Sequence, residues 1–166
     1  VTNGGGTLVG SRRYGGGLFV FKSAASFSRL LLHGADLLGS DGTGSAVALV
    51  DPYVVTVDNV AALLNRGAGA TVYIGAAGSG VVLTHVTLVG NYSGGADPAG
   101  AIWVESSSGA VDVVNSILWS NGSNLPEVSR DEEGRPVRVS NSIVGPIEKG
   151  KKDTDPDLIG TLNEDP

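Results

Sequence analysis

Residues 109–121, GAVDVVNSILWSN, alternate apolar and polar positions through Val111, Asp112, Val113 and Val114. The pattern pauses at Asn115, resumes with Ile117, Leu118 and Trp119, and stops at Ser120 and Asn121. The same unit returns along the chain. With Asn115 as origin, steps of 25 to 30 residues reach His85, Asn59, Gly34 and Gly5 upstream and Asn141 downstream. Four residues before each origin stand Leu30, Val55, Val81, Val111 and Val137; two before stand Leu32, Val57, Leu83, Val113 and Val139. The intervening columns are mixed: Leu31, Thr56, Val82, Asp112, Arg138, and His33, Asp58, Thr84, Val114, Ser140. A period of two puts the aliphatic columns on one face of a strand and the mixed columns on the other.

Two further columns extend the unit. Three residues after the origin come Leu8, Leu37, Ala62, Leu88, Leu118 and Val144; six after come Ser11, Ser40, Asn65, Asn91 and Asn121. A third strand recurs with Leu18, Val47, Val72 and Ile102 leading, and Val20, Leu49, Ile74 and Val104 two residues on. Val128 begins a fifth copy of it. Repeats of this length identify a solenoid. The expected fold is all-β: a right-handed parallel β-helix of about five to six coils, with three short strands per coil. Residues 1–147 supply the coils and residues 148–166 a charged C-terminal tail or cap. Short polar residues at coil corners stack on their counterparts, so Asn59, His85, Asn115 and Asn141 form one expected ladder and Asn65, Asn91 and Asn121 another. Gly replaces Asn where a corner needs an unusual dihedral.

Composition narrows the classes. A chain of 166 residues makes one domain of ordinary size, and 26 Gly without a three-residue period suit tight turns rather than collagen or long helices. The chain has no Cys, so disulfides, zinc knuckles and thiol nucleophiles are excluded. It has no Met even at position 1, which points to processing or to a piece of something longer. No apolar run approaches the ~20 residues of a membrane span. A net charge of −6 disfavours nucleic acid and anionic membrane as partners.

The segments GGGLFV, THVTLVGN, GAIWV and NSILWSNG resemble the right-handed β-helix repeats of bacterial surface proteins, including the polymorphic outer-membrane protein type and the pectin-lyase-like superfamily. The run from Asn115 to Gly160 is similar to the end of the β-helix in surface proteins with a "choice-of-anchor" tail. It departs from that pattern by an inserted Asp at Asp155-Pro156-Asp157-Leu158. The resemblance implies secretion or cell-surface display and, in longer relatives, a C-terminal anchor. It is specific for fold and weak for activity, since activity resides in sites grafted on folds.

Chemistry of that kind needs clustered carboxylates. Polysaccharide lyases hold Ca²⁺ on several of them, and hydrolases use paired Asp on one strand face. Here Asp58 and Asp112 fall in different columns two coils apart, and no Asn-x-Asp, Asp-Asp or paired-Asp element sits on a strand. His33 is expected as an outward strand residue and His85 as a corner substitute for Asn. Asp153, Asp155 and Asp157 have the i, i+2, i+4 spacing of oxygen ligands for Ca²⁺, with a solvated acidic turn as the alternative. No other cofactor is implied. Phe19, Tyr73 and Trp103 form an outward aromatic stripe interrupted by Ala48, and Trp119 does not recur in its column. These rings are candidate contacts for a protein or a sugar, or else packing beneath neighbouring loops. The expected role is a non-catalytic secreted or surface module, structural or partner-binding. Its partners would be a protein, a second copy reached through end coils or a strand face, or a polysaccharide. The alternative is a carbohydrate-active enzyme or a fragment of one.

Overall fold

The structure, a computed structural model, describes residues 7–9, 12–37, 42–75, 78–94, 97–105, 109–122, 125–131, 137–145 and 157–159. Among the described residues there are 18 strands and no helix. β1 (Thr7–Val9) and β2 (Arg12–Tyr14) pair antiparallel. The chain then repeats one circuit: β3 (Leu18–Phe21), β4 (Ala25–His33) and β5 (Asp36–Leu37). The next circuit is β6 (Val47–Val50), β7 (Val55–Leu63) and β8 (Arg66–Gly67), followed by β9 (Val72–Gly75), β10 (Val81–Val89) and β11 (Tyr92–Ser93). After these come β12 (Ile102–Glu105), β13 (Val111–Val114) and β14 (Ile117–Trp119), then β15 (Val128–Arg130), β16 (Val137–Ser140) and β17 (Ile143–Val144). The last strand is β18 (Asp157–Ile159).

From β3 onward every pairing is parallel. Three sheets run along the stack, one of them in the order β15-β12-β9-β6-β3 and a short one in the order β11-β8-β5. The result is an all-β parallel solenoid of about four turns. Among the described residues the fourth sheet is the β1–β2 pair. That pair differs from the expected extra coil at Gly5: Leu8 lies opposite Arg13 in an antiparallel register.

The corners are set by backbone handedness. Arg29, Asn59, His85, Asn115 and Asn141 all have φ between 51° and 55°. Five residues later Gly34, Leu64, Gly90 and Ser120 have φ between 54° and 67°. A left-handed residue bends the strand without a loop, which is why β4, β7 and β10 each run nine residues through the first bend. Asn tolerates this region better than other side chains with a Cβ. That preference, rather than side-chain stacking alone, accounts for Asn at the first corner.

The same two corners explain an error in the expected register of the first turn. Ala25 pairs with Val55, Phe27 with Val57 and Leu30 with Val60, so Arg29 and not Gly34 lies level with Asn59. Gly34 occupies the second corner. Both corners accept Gly and are five residues apart, so a step of 25 imitates the true step of 30. Accordingly Ala25 and Phe27, not Leu30 and Leu32, continue the two columns before the corner. Leu32 replaces Leu37 opposite Ala62. The other turns keep the expected register, with Val81 between Val55 and Val111 and Val111 beside Val137.

Burial follows the columns. Val55, Val81, Val111 and Val137 are fully buried, as are Val113, Val139, Leu32, Leu88 and Leu118. The third strand adds Val47, Leu49, Val72, Ile74, Ile102, Val104 and Val128 to the same core. Each buried Val or Leu side chain contributes about 1.5–3 kcal/mol, and no turn can bury its inner face without the next. Of the expected tail, only β18 lies within the described residues. It pairs with β16 through Arg138–Asp157, Val139–Leu158 and Ser140–Ile159, lengthening that sheet by one strand.

Val113 is fully buried, whereas Asp112 beside it is partly exposed and 3.8 Å from Arg138. Val113→Asp is expected to cost about 3 kcal/mol or more in urea unfolding, because it leaves an unpaired charge in the stack. Asp112→Val should change stability by less than about 1 kcal/mol, since it removes only a surface ion pair. The reverse ranking would mean the inside–outside register is wrong by one residue.

Candidate functional site

The most ordered polar constellation is inside the stack. Asn65, Asn91 and Asn121 are buried, one per turn, just past the second corner. The Asn65 side-chain amide donates to the Leu32 carbonyl at 3.0 Å and to Asn91 Oδ1 at 2.9 Å. Asn91 donates in the same way to the Ala62 carbonyl at 2.9 Å and to Asn121 Oδ1 at 2.6 Å. Asn121 donates to the Leu88 carbonyl at 2.7 Å. Each Oδ1 also accepts a backbone N–H from the preceding turn: Ala35 on Asn65, Asn65 on Asn91, Asn91 on Asn121. Both amide hydrogens and the oxygen of every Asn are therefore used.

The ladder has direction, because each Asn sends one amide hydrogen back to a carbonyl of the preceding turn and the other forward to the next side chain in the ladder. Glu127 terminates it. Its Oε2 accepts the Asn121 amide at 2.8 Å and its Oε1 accepts the Asn121 backbone N–H at 3.0 Å. A carboxylate does here what the next Oδ1 would do, and as an acceptor only it needs no further turn. At the opposite end Ala35 stands level with Asn65 and offers only its backbone N–H. Glu127 could be recognised in the sequence only by the failure of the Asn column after Asn121.

A second inner set was not anticipated. Ser116 and Ser142 follow corner residues and replace Val60 and Val86 in an inward column. Ser116 Oγ accepts the Val86 N–H at 3.0 Å and donates to the Val114 carbonyl at 2.8 Å; Ser142 repeats this with the Ser116 N–H and the Ser140 carbonyl. The buried carboxylate of Asp97 accepts the Ala70 N–H at 2.8 Å and the Thr43 hydroxyl, so it joins segments of three consecutive turns. Gly69 is required beside it, since a Cβ there would collide with that carboxylate and that hydroxyl.

The corner column is a different environment. Asn59, His85, Asn115 and Asn141 are exposed, as is Arg29. Asp58 Oδ1 lies 3.0 Å from His85 Nδ1, and Asn115 Nδ2 lies 3.4 Å from His85 Nε2. A carboxylate can only accept, so His85 Nδ1 donates to Asp58, and Nε2 lies beside the Asn115 side-chain amide. An Asp–His pair is the orienting half of a general base. Here Nε2 lies beside an amide, and among the described residues no hydroxyl is bonded to it. Arg138 and Asp112 form a neighbouring ion pair on the same outward face.

The aromatic stripe has the expected register, with Phe19 beside Ala48, Ala48 beside Tyr73, and Tyr73 beside Trp103. It is packed rather than open. Tyr14 stacks on Phe19 at 5.9 Å and approaches Tyr73 at 5.5 Å, closing the gap over Ala48. Tyr73 is buried and donates its hydroxyl to Glu105. Phe19 and Trp103 are half-buried. Trp119 is half-buried on another face, where its ring lies against Gly145 of the next turn. Of the proposed Ca²⁺ ligands, Asp153 and Asp155 lie outside the described residues and Asp157 opens β18. Among the described residues no three His, Asp or Glu side chains converge to hold a metal ion.

No protein-family model, curated protein or solved structure matches the chain.

Burial raises the Glu127 carboxyl above its ordinary 4.5, outweighing the lowering pull of hydrogen bonds from the Asn121 side chain and the Asn121 and Ser120 backbones. A raised folded value means the native state holds the proton more tightly than the unfolded chain. The stability this adds is complete below the unfolded value and is lost as pH rises through the folded one. Thermal unfolding of the wild type and Glu127→Gln between about pH 4 and pH 7 reads this directly. The wild type should lose stability relative to the variant as pH rises through that window. Parallel curves would contradict the burial of a titrating carboxyl.

Proposed function

We propose that the chain is a non-catalytic module, secreted or displayed on a cell surface, with a structural or partner-binding role. In this reading the solenoid is a right-handed β-helix of five to six coils related to the pectin-lyase-like, polymorphic outer-membrane protein and choice-of-anchor surface proteins that its repeats resemble. One observation carries the functional part. The buried polar side chains Asn65–Asn91–Asn121–Glu127 are bonded to one another along the stack, and the exposed pair Asp58–His85 reaches Asn115 on the outside. The buried groups so used support the register of the turns, and the outer ones are engaged with one another between turns.

A strand face supports the partner-binding part. On the outward side of the segment between the two corners, Ile117 is 39% exposed beside half-buried Ile143, and two residues on in the earlier turns lie half-buried Leu63 and Val89, with Leu64 59% exposed at the second corner. Leu63, Val89, Ile117 and Ile143 share one face over several turns, with Thr87 beside Ile117, and apolar side chains exposed on a strand face suit a protein partner or a second copy. The alternative is a carbohydrate-active enzyme. It draws on Asp58 and Asp112 lying on one outward sheet face, with His85 on the turn between them.

Incubation with acidic and neutral polysaccharides separates the two. No new reducing ends and no unsaturated products are expected. Turnover abolished by His85→Gln or Asp112→Asn would overturn the non-catalytic reading.

A further inference from the structure

The chain has nine Asn, and only two of them begin the pattern Asn-x-Ser/Thr: Asn91-Tyr92-Ser93 and Asn121-Gly122-Ser123. That pattern is the acceptor for N-linked glycan and normally marks an exposed loop. Here both acceptors are ladder residues. Asn91 is 3% exposed and Asn121 is fully buried. Ser93, which completes the first pattern, is buried as well.

We propose that Asn91 and Asn121 are glycan acceptors only in the unfolded chain, and that attachment to either residue and closure of the solenoid exclude each other. The inference goes beyond the proposed role and is independent of whether the module is catalytic. The donor would be a lipid-pyrophosphate-linked oligosaccharide. The side-chain nitrogen forms a bond to the anomeric carbon, the bond from that carbon to the pyrophosphate oxygen breaks, and the lipid pyrophosphate leaves with the electron pair. One amide proton passes to a base of the transferase.

The product nitrogen keeps one hydrogen. In the folded chain it needs two: Asn91 donates to Ala62 and Asn121, and Asn121 donates to Leu88 and Glu127. Modification therefore leaves a buried acceptor without its donor. It also places a sugar where the neighbouring turn already lies within hydrogen-bond distance. Conversely, once the turns have stacked, neither nitrogen can reach a transferase. The outcome depends on which event comes first, so native folding requires a route on which transfer is absent or slower than stacking.

The full chain, carried behind a cleavable leader, can be translated into microsomes that hold the transferase and its donor, and into microsomes depleted of donor. With donor, one or two mobility shifts that an endoglycosidase removes are expected, and Ser93→Ala and Ser123→Ala should each delete one. After detergent release, the glycosylated chain should lose the protease-resistant core that the chain from donor-depleted microsomes retains. A glycosylated chain as resistant as the unmodified one would overturn the proposal. So would a Val113→Asp chain, whose stack cannot close, that takes no glycan in donor-containing microsomes.

Discussion

A side-chain amide buried away from water must place two hydrogens and satisfy one oxygen, and in this solenoid it does so on three successive turns. Asn65, Asn91 and Asn121 meet that condition only if successive turns are parallel and in register. A slip of one residue would carry each amide to the outer face and leave its partners unpaired in the interior. Repeats of unequal length are tolerated because the differences fall in the connections between strands. The inner Val and Leu columns supply most of the stabilisation, but aliphatic side chains alone specify register weakly. The amide chain specifies it through directed bonds that reinforce one another in a dry interior.

The ends of that chain follow from the same chemistry. Ala35 needs no side-chain partner, and the Glu127 carboxylate accepts without having to donate. Outside the stack the left-handed corners turn their side chains to solvent, where water can satisfy them. Polar residues recurring in neighbouring columns thus do two kinds of work. The buried set fixes the register, and the exposed set permits the bend. This division leaves the outward columns free of any part in fixing the register, which is the ground on which the proposed binding or structural role rests.

Much of the architecture was legible in the sequence. The period of two in Val111, Val113 and their counterparts names the inner face, and the recurrence of about 25 to 30 residues names the solenoid. The first turn was misaligned because both corners favour residues that accept positive φ, so Gly34 at the second imitates a residue at the first. The two Asn columns look alike as letters, and only the structure separates the buried one from the exposed one. Glu127 was missed because it enters the ladder from outside the repeating column. Tyr14 was missed because it reaches the aromatic cluster from an antiparallel pair that the repeat does not contain. Ser116 and Ser142 were visible as polar residues in an otherwise aliphatic column, and the inward position of that column was the available signal.

Side-chain amide hydrogen exchange tests the division between the two Asn sets most directly. The hydrogens of Asn65, Asn91 and Asn121 should exchange slowly, at rates set by opening of the stack. Those of Asn59, Asn115 and Asn141 should exchange rapidly with solvent. Equal, rapid exchange in both sets would contradict a buried ladder that holds the turns in register.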